Sequence, residues 1–80
     1  MPTVLRRNGF EIAIRTHDHE PPHVHVLFGG DEVVINLGID GRNPYVREVR
    51  GMSRRDIRRA VDIVTPNNEI LLLEWQRIHL

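Results

Sequence analysis

Two consecutive prolines, Pro21-Pro22, decide where regular β-structure can resume in this chain of 80 residues. Neither carries a backbone N–H, and proline also biases the residue before it toward extended geometry. The pair therefore fits the start of a strand or a sheet edge, not a strand interior. The residues that follow, His23-Val24-His25-Val26-Leu27-Phe28, read as a strand. Side chains two apart on a strand share a face, so His23 and His25 project together while Val24 and Val26 point the other way. The residues before the prolines, Thr16–Glu20, are polar and read as a loop, so four of the five histidines fall within the nine residues His17–His25, beside Asp18 and Glu20.

The rest of the chain supplies neighbours for that strand. Thr3–Arg6 is a short first strand, and Asn8-Gly9 is a strong two-residue hairpin signal. Phe10, Ile12 and Ile14 then alternate with Glu11, Ala13 and Arg15, the period of a half-buried strand. Gly29-Gly30-Asp31 is a turn, Glu32–Leu37 its return strand, Gly38–Pro44 a loop, and Tyr45–Val49 a fifth strand. No helix follows Gly29-Gly30, so it is not a phosphate-binding loop. From Ser53 the pattern becomes helical. Ser53-Arg54-Arg55-Asp56 is a capping-box variant, and Ile57, Ala60, Val61 and Val64 form one apolar stripe. Thr65-Pro66 can cap and start a second helix, because proline is tolerated at a first helical position. Leu71, Trp75 and Ile78 line one side of that helix, with Trp75 as a core or interface anchor, while Ile70 and Leu73 extend apolar character to a second side and suggest a homodimer contact. His79 suits a helix C-terminus on electrostatic grounds alone. The expected fold is a single α+β domain over residues 1–80: an antiparallel β-sheet of four to five strands followed by two C-terminal α-helices.

Composition removes whole classes of function. The chain has no cysteine, which excludes disulfides and thiolate metal sites. Met1–Arg7 lacks the long apolar stretch of a signal peptide, and no run approaches the roughly 18 apolar residues of a membrane span. A cytoplasmic protein with no membrane partner is expected. Net charge is zero but unevenly spread: residues 42–59 carry seven arginines against two acids, whereas residues 10–40 carry six acids against Arg15. All eleven basic residues are arginine.

Two clusters could carry chemistry. His19, His23 and His25 are the candidate catalytic residues, with the prolines holding the third imidazole near the other two. Paired imidazoles can serve as general acid and base in metal-free RNA cleavage, with an arginine stabilising phosphorane charge. Alternatively, the same three histidines are ligands of a divalent transition metal, with carboxylates completing a mixed site. Arg54, Arg55, Arg58 and Arg59 form a broad basic helix face, with Arg47 and Arg50 just upstream, suited to an acidic protein partner or nucleic acid. The low aromatic content of 5% weighs against nucleic acid.

The opening Met1-Pro2-Thr3, the core Asp18-His19-Glu20-Pro21-Pro22-His23-Val24-His25, the Phe28-Gly29-Gly30 turn and the closing Asn68…Leu71-Leu72…Trp75 together resemble a small prokaryotic family, domain of unknown function 4160. The resemblance covers nearly the whole chain and implies a compact α+β domain in a toxin–antitoxin-type gene pair, with a small protein partner encoded nearby. It brings no established catalytic residues. Asp18, His19, Pro21, Pro22, His23 and His25 match its motif, whereas His17 stands where another polar residue is usual. The expected function is thus a toxin–antitoxin-like module that binds a small protein, with RNA as a further expected ligand, through a histidine-cluster site. The alternatives are a histidine metal-binding module and a non-catalytic, antitoxin-like interaction protein.

Overall fold

The computed structural model describes residues 3–79, and Met1 and Pro2 of the opening motif lie outside the described residues. Five strands, β1 (Thr3–Arg7), β2 (Phe10–Ala13), β3 (His23–Phe28), β4 (Asp31–Asn36) and β5 (Tyr45–Arg50), form one antiparallel sheet in the order β1-β2-β3-β4-β5. The turns follow from their residues. Asn8 and Gly9 take φ of 51° and 83°, and Gly29 and Gly30 take 57° and 87°. Paired positive φ angles match the twist of a tight hairpin. Pro21 and Pro22 immediately precede β3, as their missing donors require.

Register then divides the sheet into two unlike faces. Ile12 pairs with Val26, Val26 with Val33, and Val24 with Ile35, and this apolar face is fully buried. It shares one core with Ala60, Val64, Leu71 and Trp75 of the C-terminal helical element. The other face carries Ala13 opposite His25, His25 opposite Val34 and His23 opposite Asn36. These side chains are buried as well, because the β2–β3 connection folds back until Asp18 touches both imidazoles.

The helical element runs through α1 (Arg54–Val64), a 3-10 turn (Thr65–Asn67) and α2 (Asn68–Ile78) without an intervening loop. Two separate helices are therefore not what forms. Thr65–Pro66 does not interrupt the chain: the Thr65 backbone N–H still reaches the Val61 carbonyl, and two side chains add donors around the turn. The Thr65 hydroxyl donates to the Val61 carbonyl at 2.8 Å, and Asn67 Nδ2 donates to the Ile63 carbonyl at 2.7 Å. At the start of α1, Ser53 Oγ accepts the Asp56 N–H at 3.2 Å, while the Asp56 carboxylate turns to Arg59 at 3.2 Å. Only half of the expected capping box is made.

Buried Asn68 locks α2 to the sheet. It accepts the Gly38 N–H and donates to the Gly38 carbonyl, both at 2.8 Å. A Cβ on Gly38 would lie 1.8 Å from the Arg42 carbonyl oxygen, so no larger residue fits without moving the backbone. Gly38→Ala is expected to cost about 2–3 kcal/mol, which lowers the melting temperature by roughly 10–20 °C in a domain of this size. Thermal unfolding followed by circular dichroism measures this, and an unchanged midpoint would contradict it.

Candidate metal centre

His23 and His25 begin β3 on the same face, with ring centroids 5.3 Å apart, and both are about 95% buried. Each ring is oriented through Nδ1. His25 Nδ1 lies 2.8 Å from Glu32 Oε2, and His23 Nδ1 lies 2.9 Å from the Pro21 carbonyl. With those nitrogens held by neighbouring protein atoms, the two Nε2 atoms converge on one oxygen. Asp18 Oδ2 is 2.8 Å from His25 Nε2 and 3.2 Å from His23 Nε2. The ligand atoms of Asp18, His23 and His25 all lie within 4.8 Å of one another.

This is the spacing of a metal-ligand set slightly collapsed on itself. Bonds of about 2.0–2.1 Å to a tetrahedral ion place neighbouring ligand atoms roughly 3.3 Å apart. The His23–Asp18 separation already matches, and His25–Asp18 must open by about half an ångström. Histidine ligands characteristically donate their second ring N–H to a carboxylate or backbone carbonyl, which fixes the tautomer and ring direction. Glu32 and Pro21 occupy those positions here. A hollow of about 240 Å³ opens above the triad, lined also by Arg15, Arg47 and Arg50.

Glu32 is the hub of the supporting network. Besides His25, it receives Arg15 Nη2 at 3.2 Å and Arg50 Nη1 at 3.0 Å, and Arg50 also pairs closely with Glu48. Burial alone raises the Glu32 carboxyl, but the His25 hydrogen bond and the charges of Arg15 and Arg50 outweigh it and hold the group below its ordinary value. Asp18 follows the same logic. Its burial penalty is overcome by the hydrogen bond and charge of His25, then by His23 and a backbone N–H, and its carboxyl also sits low.

The sequence-predicted residues are thus only partly brought together. His23 and His25 converge, whereas His19 is exposed at the rim of the hollow and the third converging group is Asp18. Arg54, Arg55 and Arg58 are exposed on α1. Arg59 lies 5.0 Å over the Phe10 ring and 5.4 Å over Phe28, which itself stacks on Phe10 at 4.1 Å. That basic surface belongs to the helix side of the sheet, away from the imidazoles. Glu32, Arg15, Arg47 and Arg50, which sequence reading did not place in the site, are charged residues that reach it. His79 stays outside. It stacks on Trp75 at 3.8 Å, and Trp75 in turn packs against His23 at 5.1 Å.

Depressed carboxyl values fix the sign of the pH response. The metal-free protein holds the stabilisation from Asp18 and Glu32 in full above the ordinary carboxylate range and loses it as pH falls through their lowered native values. Urea unfolding between pH 7 and pH 3 should therefore show a steeper acid loss for the native sequence than for the Asp18→Asn, Glu32→Gln pair. Parallel profiles would contradict the network.

The family described as "Domain of unknown function (DUF4160)" matches residues 9–76, a span that takes in β2 to β5, the Asp18–His25 segment and nearly all of the helical element. No curated protein and no solved structure matches the chain. With more than four-fifths of its length matched, and the histidine strand inside the match, the chain belongs to the DUF4160 family.

Proposed function

We propose that this protein is a metal-binding module in which His23 Nε2, His25 Nε2 and an Asp18 oxygen hold one divalent first-row transition metal. The observation that carries the reading is the convergence of two buried Nε2 atoms on a single carboxylate oxygen, with both Nδ1 atoms pinned from behind. A two-histidine, one-carboxylate set with no thiolate suits zinc, iron, cobalt or nickel better than magnesium or calcium. Three protein ligands leave at least one position toward the solvent-facing hollow, the arrangement of a reactive centre rather than a closed structural one. The metal bound there would act as a Lewis acid or lower the pKa of a bound water.

Metal-free RNA cleavage by paired histidines has weaker support. A general base needs a ring nitrogen turned to substrate, whereas all four nitrogens of His23 and His25 face protein atoms. The toxin–antitoxin-like pairing with a small protein, and RNA as a substrate, remain part of the proposal as the setting in which such a centre would act. Exposed Ile70 and Leu73 on α2 are surface compatible with a protein contact, including a second copy.

Protein purified without a histidine tag and stripped with chelator should bind one zinc or nickel ion per chain in calorimetry. His25→Ala and Asp18→Ala should each abolish binding, and Glu32→Gln should weaken it about 10–100-fold through loss of ligand orientation. Absence of binding by the native sequence, or binding indifferent to His25 and Asp18, would overturn the proposal.

A further inference from the structure

Arg47 makes an unusual approach. Its Nη1 lies 3.1 Å from His23 Nδ1, the same nitrogen that is 2.9 Å from the Pro21 carbonyl oxygen. These contacts exclude each other as hydrogen bonds. A carbonyl accepts only, so it requires a proton on Nδ1; a guanidinium donates only, so it requires a bare Nδ1. One tautomer of His23 serves Arg47 and presents Nε2–H to Asp18. The other serves Pro21 and presents a bare Nε2, the form a metal ion needs.

The backbone places Arg47 deliberately over this nitrogen. Ile35 pairs with Val46 and Val34 with Glu48, so Arg47 is the extra residue of a β-bulge in β5. Bulges commonly re-aim a side chain beside a functional site. Arg47 differs from the other two arginines of the hollow. Arg15 and Arg50 both pair with Glu32, whereas among the described residues Arg47 has no carboxylate within ion-pairing distance.

Resting on the metal reading above, we infer that Arg47 is the anion-binding residue of the centre, held by His23 in the metal-free protein and released when a metal occupies Nε2, so that metal and a dianionic phosphate monoester bind cooperatively. A bound metal forces the proton of His23 onto Nδ1 and toward Pro21, which takes the imidazole acceptor away from Arg47 Nη1 at the rim of the hollow. Charge completes the case. Asp18, Glu32 and Glu48 cancel Arg15, Arg47 and Arg50 around the hollow, so a divalent ion leaves a surplus of two positive charges. A phosphate monoester dianion matches that surplus, with one oxygen on the metal and others on the guanidinium fork.

Arg47→Met keeps the aliphatic stem on an exposed strand and removes the competing donor. Calorimetry with nickel, and with phenyl phosphate added to the nickel-loaded and metal-free protein, reads both arms. Arg47→Met should bind nickel about fivefold or more tightly than the native sequence, and nickel should strengthen phenyl phosphate binding about tenfold or more in the native sequence alone. Diphenyl phosphate, a monoanion, should bind the loaded protein much more weakly than phenyl phosphate. Nickel binding that is unchanged or weaker in Arg47→Met, or phenyl phosphate binding indifferent to Arg47, overturns this inference and leaves the metal centre standing. Failure of the native sequence to bind nickel removes both.

Discussion

Alternation along β3 is the constraint on which the rest of the molecule depends. A strand that buries Val24 and Val26 against the helical element must project His23 and His25 from the opposite face. A register slip of one residue would drive the imidazoles into the core and the valines out, so the packing that stabilises the domain also enforces the site geometry. The sheet face that carries the histidines is closed by the β2–β3 connection, and Asp18 is the point at which that connection is tied down.

Burying two imidazoles, a carboxylate and parts of several guanidinium groups in so small a domain is costly unless each finds a partner. The partners come from four directions: Asp18 from the loop, the Pro21 carbonyl from the strand entry, Glu32 from β4, and Arg47 and Arg50 from β5. Support also comes from the helical element. Trp75 of α2 packs against His23 and is itself stacked by His79, while Asn68 clamps the start of α2 to Gly38 beyond the end of β4. The helical element therefore helps to hold the orientation of the first imidazole, although its basic surface lies elsewhere.

Much of this was legible in the residues. Asn8-Gly9 and Gly29-Gly30 announced both hairpins, Pro21-Pro22 announced the start of β3, and period two announced which side of β3 the histidines share. The place of Glu32 was legible too. A two-residue turn pairs Leu27 with Glu32 and His25 with Val34, which puts Glu32 diagonally beside His25 on the same face. Three features were not. The loop between β2 and β3 presents Asp18 rather than His19 because of tertiary folding that no local period encodes. The bulge that turns Arg47 inward adds one residue to β5 and defeats simple alternation. The continuity of the helical element around Pro66, supported by the Thr65 and Asn67 side chains, runs against the ordinary reading of proline as a boundary.

If two imidazoles of one strand and the Asp18 carboxylate share a metal, X-ray absorption at the zinc edge of the loaded, tag-free protein will show it. The expected spectrum has a first shell of nitrogen and oxygen at roughly 2.0–2.1 Å with outer-shell scattering from two imidazole rings per zinc. A shell with one imidazole or none would contradict it.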